Sequence, residues 1–293
     1  MYEPIRQMLN NYKCHSQQDY VNALKEIVQQ IALLGLWRAK FFENAAFYGG
    51  SALRILYGLD RFSEDLDFSL LKPNKNFVLN PYNKSIEQEL SAFGFMVAVQ
   101  NKVKSFQSNI ESAFIKAGTK QQLITITAPS KIINTIHHMH TIKIKMEVDI
   151  NPPELFSTET KYILQPIPFS IKSFIEPDLF AGKVHALLCR PWQSRVKGRD
   201  WYDFVWYVAR KTPINLVHLR ERLIQSKAWQ QQVNFDKHAL IELLTQKIMH
   251  TDFANAKKDV IPFVKDTASV SVWSQDFFLT ILQRLQVINS DAM

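Results

Sequence analysis

The stretch FYGGSALRILYGLDRFSEDLDFSL, residues 47–70, decides how this chain folds. Gly49 and Gly50 carry no side chains, so the backbone can turn sharply there and approach a bulky group. Ser51 is expected to cap the helix that follows, about 52–57, through its hydroxyl. The amino end of that helix offers free N–H groups and a positive dipole end, a cradle for a polyphosphate. From Phe62 the pattern alternates. Phe62, Leu66, Phe68 and Leu70 face one way; Asp65, Asp67 and Ser69 face the other. A period of two reads as a half-buried strand. Asp65 and Asp67 then share one face, roughly 6–7 Å apart. Oxygen donors at that spacing suit Mg²⁺, which takes one or two carboxylates plus substrate phosphates. Two such ions about 3.5–4 Å apart activate an attacking hydroxyl and stabilise departing pyrophosphate. A bare Asp-x-Asp is more often a solvated pair on an edge strand. Gly-Gly-Ser and a helix upstream, in that order, favour a functional site.

A metal site of this kind usually takes a third carboxylate from a neighbouring strand. TIKIKMEVDI, 141–150, alternates clearly, with Glu147 and Asp149 on its polar face. Either completes the set; Glu147 is preferred. Helical spacing predicts helices over 18–40 and 85–93. Further strands are expected at 95–103, 110–116, 121–127 and near 162–168. After Pro177 helical patterns take over: about 178–190, 199–211, 215–231, 236–249, 251–263 and 271–288. The plan is therefore α+β, a mixed-sheet domain (1–170) followed by an all-helical domain (171–293).

The helical half opens with DLFAGKVHALLCRPWQSRVKGRDWYDFVWYVARK, 178–211. Lys183, Leu187 and Arg190 recur at helical spacing, and Lys183 is a point charge suited to nucleotide phosphates. Asp200 falls near the start of the next helix, as an N-cap or a site residue. Arg199 and Asp203 stand at i,i+4, the spacing of a structural ion pair. Residues 183–211 hold seven basic and two acidic side chains, net +5 of the chain's total +8. With Trp192, Trp201 and Tyr202 interleaved, that mix suits an RNA backbone and its bases. Trp201 and Phe204 read as core rather than as base platforms.

Composition bounds the alternatives. In 293 residues, 46% are hydrophobic and 21% charged, which excludes a disordered chain. Two cysteines, Cys14 and Cys189, give neither a zinc quartet nor a disulfide framework. His137, His138 and His140 crowd one short segment and read as a polar loop rather than a zinc site. His185 reads as packed. No run of about 18 charge-free apolar residues appears, nor an amino-terminal signal of secretory type. A cytoplasmic protein without membrane partners is expected. The excess of 35 Lys and Arg over 27 Asp and Glu favours a polyanionic partner.

Gly-Gly, a spacer and Asp-x-Asp together resemble the signature of the DNA polymerase β nucleotidyltransferase superfamily. The fuller string, with Arg61, Phe62, Ser63, Glu64 and Asp65, is similar to the AbiEii group, the nucleotidyltransferase toxins of type IV toxin–antitoxin systems. A Lys in a helix followed by an Arg-Asp-x-x-Asp helix is that group's other hallmark. The resemblance spans about 20–285. It implies a polymerase β-type sheet domain and a helical domain that contributes to the cleft. It implies Asp65, Asp67, Glu147 or Asp149, Lys183 and Asp203 as catalytic residues. Gly49, Gly50, Ser51, Lys183, Arg199 and Asp200 would bind the nucleotide. Asp65, Asp67 and Glu147 would hold Mg²⁺, two ions, with Mn²⁺ as the alternative. The implied partners are a nucleoside triphosphate, an RNA acceptor such as the 3′ end of tRNA, and a separately encoded antitoxin.

Overall fold

The computed structural model describes residues 3–101, 119–127, 141–190 and 196–289. The strand expected at 110–116, the histidines 137–140, and Trp192 lie outside the described residues. Helix α1 (Glu3–Asn10) precedes α2 (Gln17–Arg38). Ser16 and Asp19 close a capping box at the start of α2, each side chain taking the other's backbone N–H. Next come β1 (Ala45–Tyr48), α3 (Gly49–Tyr57), β2 (Leu66–Leu70), α4 (Asn80–Ala92), β3 (Met96–Asn101), β4 (Thr119–Thr127), β5 (Thr141–Asp149), β6 (Thr158–Ile163) and β7 (Phe169–Phe174). The carboxy-terminal half holds α5 (Glu176–Cys189), α6 (Gly198–Ala209), β8 (Ile214–Asn215), α7 (Leu216–Gln225), α8 (Lys237–Met249), α9 (Phe253–Val260), α10 (Gln275–Leu282) and β9 (Val287–Ile288).

Seven strands form one mixed sheet in the order β3-β4-β5-β2-β1-β7-β6. Strands β1 and β2 are antiparallel, and β2 runs parallel to β5. Buried Ile27, Ile31 and Leu34 of α2 and Ile86 and Leu90 of α4 join Phe47, Phe68, Ile144, Met146 and Val148 in one core. The alternation read from the sequence is what frees the opposite side chains, Asp67 and Glu147, for chemistry. A second core binds the helices: Trp201, Phe204, Tyr207, Phe253 and Phe278. It takes in Ala46, Leu53, Leu59 and Phe174 from the sheet half.

Three expectations are corrected. The single strand near 162–168 is a hairpin, β6 and β7, because Pro166 and Pro168 interrupt the run; β7 then reaches β1 in parallel. The helical half carries a parallel strand pair, β8 with β9, where unbroken helices were read. The last long helix is shorter than expected, because Ser274 accepts from the Phe277 N–H and starts α10 late.

Candidate active site

Position 49 is the pivot. Tyr48 ends β1 opposite Asp67, and α3 begins at the next residue. Gly49 has φ of +82°, and a Cβ placed there would run into the Asp67 carboxylate. Gly50 is buried, and a Cβ on it would stand 3.0 Å from Arg61 Nη2. Ser51 does not cap α3. It lies inside the first turn, fully buried, and its hydroxyl donates to the Asp65 carbonyl. That bond ties the helix to the entry of β2. The helix starts three residues earlier than the sequence pattern implied, so Ser51 is past the cap position.

Strand β2 starts at Leu66, so Asp65 stands just ahead of it and Asp67 within it. In the parallel pair with β5, Asp67 is level with Glu147, and Ser69 with Asp149. Burial, then Glu147, then Asp65 push the Asp67 carboxyl up to about 7, against the opposing pull of Lys183 and Lys197. Burial also raises Asp65, with Glu147 adding to it and Lys145 opposing. Asp149 is raised by burial and relieved by Arg222 and by the Asn151 N–H, which donates to Oδ1 at 3.0 Å. Glu147 is ion-paired with Lys145.

The helical half brings its charge to the same place. Lys183 Nζ lies 2.7 Å from Asp203 Oδ2. Arg61 donates twice to the same carboxylate, Nε to Oδ1 and Nη2 to Oδ2, both at 2.6 Å. Burial alone would raise Asp203, but the two cations win and hold it below the usual carboxylate range. Asp203 is 0% exposed, so it aims Lys183 rather than meeting solvent. The i,i+4 partner read for it, Arg199, instead pairs with Glu64 at 3.4 Å and stacks 4.0 Å from the Phe263 ring centroid. Asp200 is buried and accepts from Arg190 at 2.6 Å; it makes no side-chain N-cap. Gly198 lets α6 touch α9, since a Cβ there would overlap the Ala256 carbonyl.

Trp201 and Phe204 are core. His185 is packed as read, within 3.0 Å of the Ser226 hydroxyl, and burial lowers it to about 3. Four participants escaped the sequence reading. Arg61 was noted only as part of a motif; its bidentate grip needs a partner 142 positions away. Lys197 ends the turn before α6 and is lowered to about 8 by burial and then by Arg190. Arg222 and His218, one turn apart on α7, were not singled out within the helix expected at 215–231. The i,i+4 spacing of His218 and Arg222 was the available signal.

Among the described residues, no three His, Cys, Asp or Glu side chains already gather as a metal site. The donor set nonetheless fits a hard cation. Asp65 and Asp67 are half-buried carboxylates that repel one another, and two carboxylates plus substrate oxygens satisfy Mg²⁺. Two open recesses, about 520 and 700 Å³, lie elsewhere, along Leu71–Pro73 and their neighbours. No described helix is long and apolar enough to cross a membrane.

The profile of the family described as nucleotidyl transferase AbiEii toxin, type IV toxin–antitoxin system, matches residues 31–281. Among solved structures, MenT4, a nucleotidyltransferase toxin from Mycobacterium tuberculosis, superposes with a TM-score of 0.55 at 13% identity, over 98% of this chain and 90% of that one. A putative nucleotidyltransferase from H. pylori gives a TM-score of 0.48 at 16% identity, over 88% and 92%. No curated protein matches. The match over residues 31–281 shows that the chain belongs to the AbiEii family of type IV toxin–antitoxin nucleotidyltransferase toxins.

Proposed function

We propose that this nucleotidyltransferase moves a nucleoside monophosphate from a triphosphate to a hydroxyl at an RNA 3′ end, that of tRNA. The acceptor oxygen bonds to the α-phosphorus, the bond to the bridging α–β oxygen breaks, and pyrophosphate leaves. The observation that carries this reading is Asp67. It stands half-buried, level with Glu147 and beside Asp65, and is raised to about 7 by desolvation first and then by their repulsion, while Lys183 opposes it. A site that strained is relieved by cations and polyphosphate.

Gly49, Gly50 and the amino end of α3 would seat the triphosphate, with Ser51 fixing that turn to Asp65. Lys183, held by Asp203, would neutralise phosphate charge. Asp65 and Asp67 would hold Mg²⁺, with Glu147 as third ligand once it leaves Lys145, and Asp149 as its neighbour on the polar face. Bound Mg²⁺ supplies Lewis-acid stabilisation of the developing negative charge. Arg199 and Asp200 act one step back, through Glu64 and Arg190. The net +5 of residues 183–211 supports RNA over a small acceptor. Such substrates place the chain in the cytoplasm, with its antitoxin encoded separately.

The test is incubation with each labelled triphosphate, Mg²⁺ and a tRNA pool. Label should enter RNA, and Asp67→Asn should cut transfer at least about 100-fold. Transfer by Asp67→Asn at the wild-type rate would sink the mechanism.

A further inference from the structure

Two groups of cations flank the carboxylates, and a triphosphate accounts for only one. Lys183 and Lys197 act on Asp67, and Arg199 acts on Asp65. Arg222 acts instead on Asp149, on Tyr48 and, from the helical half, on Asp178. Asp149 stands level with Ser69, two residues beyond the Asp67–Glu147 pair and away from the Gly49 turn.

The guanidinium of Arg222 is deliberately held. Its Nε donates to His218 Nε2 at 3.1 Å, and its Cζ is 5.9 Å from the Tyr48 ring centroid. His218 is 0% exposed and kept neutral by burial, then by Arg222 itself, so it serves only as an acceptor on that side. Gly182 leaves the guanidinium room: a Cβ there would stand 3.8 Å from Nε and 4.0 Å from Nη2. Yet among the described residues no carboxylate lies within the 4.0 Å ion-pair distance of Arg222, and its two terminal nitrogens have no hydrogen-bond partner. One turn on, Gln225 donates to the Asn151 carbonyl at 2.7 Å, fixing α7 beside the 151–156 segment. That segment lines the 520 Å³ recess together with Leu71–Pro73, beyond the ends of β2 and β5.

A half-buried guanidinium, aimed from behind and unpaired in front, is a phosphate fork. Because the triphosphate is assigned to the Gly49 and Lys183 side, we propose that Arg222 binds a backbone phosphate of the acceptor strand next to its reacting 3′ hydroxyl. This rests on the RNA-acceptor reading above. Arg222 is then a positioning group for the acceptor, one that small-molecule transfer would not need.

Steady-state transfer from a labelled triphosphate to a tRNA pool, with each substrate varied in turn, tests this. Arg222→Gln should raise KM for tRNA about tenfold and leave KM for the triphosphate within about twofold. The salt slope of the tRNA KM should flatten by about one. Arg222→Lys keeps the charge and most of the packing; it should restore the slope but only part of the KM, because an ammonium cannot be forked or anchored by His218. An unchanged tRNA KM in Arg222→Gln, or a rise confined to the triphosphate, overturns the assignment. If Arg222→Gln does not fold, a Lys variant with wild-type KM for tRNA overturns it equally. Wild type that labels no RNA at all overturns both this and the acceptor reading beneath it.

Discussion

Asp67 shows how one side chain trades stability for chemistry. Its folded carboxyl titrates at about 7, raised by burial and by Glu147 and Asp65, whereas an unfolded aspartate keeps the ordinary value of 3.8. The folded state therefore holds this proton more tightly. The contribution to stability is full below pH 4 and is lost as pH rises through 7. Asp67→Asn should accordingly melt roughly 5 °C above wild type at pH 8, without added metal, and the gap should close by pH 4. Thermal melts across that range check it. A gap that widens on acidification would contradict the assignment. Asp203 behaves in the opposite way, because Arg61 and Lys183 hold its charge where its own side chain is closed off from solvent. Arg61→Met strands that carboxylate beside Lys183 alone and should cost about 3–5 kcal/mol in urea unfolding. Residue types and spacing made Asp65, Asp67, Lys183 and Asp203 legible in the sequence. The partner of Asp203 was not, since nothing local links position 61 to position 203. Arg222 was hidden for the same reason: its meaning comes from Asp149 and Tyr48, which only the fold brings near.

At the scale of elements, period-two alternation located β2 and β5, and helical spacing located α2, α5 and α6. Both signals are strong because each element has one buried face. The signal failed where elements are short or punctuated. Strand β7 is hidden behind Pro166 and Pro168, and the pair β8–β9 is two residues deep. The start of α3 was misplaced because no side chain caps it; Tyr48 makes no cap bond, and Gly49 turns with positive φ instead. That junction is expected to be intolerant. Gly49→Ala puts a methyl into the Asp67 carboxylate and strains the backbone, so transfer should fall by at least about 100-fold while the melt shifts by only a few degrees. Gly198→Ala should do the reverse. Its methyl meets the Ala256 carbonyl, so α6 and α9 must part, lowering stability by about 2 kcal/mol or more. Activity at low temperature and the melting temperature, measured on both variants, separate the two effects.

For the molecule as a whole, the sheet half and the helical half share more than a linker. The helical core includes Ala46, Leu53, Leu59 and Phe174 from the sheet side. The 60–64 segment adds polar fastenings: Tyr202 donates to Asp60 at 2.6 Å, and the Phe62 N–H donates to the Phe263 carbonyl at 3.0 Å. Unfolding should therefore be a single transition, with tryptophan fluorescence and far-ultraviolet circular dichroism coinciding in urea. Two separated transitions would show that the halves stand alone.

The collision waiting at Gly49 also reaches into genetics. Every missense change of a glycine codon adds a side chain, so no conservative replacement exists at this position. Colonies that survive forced expression without antitoxin should therefore include lesions at codon 49 well above its share of the gene, in full-length, soluble protein.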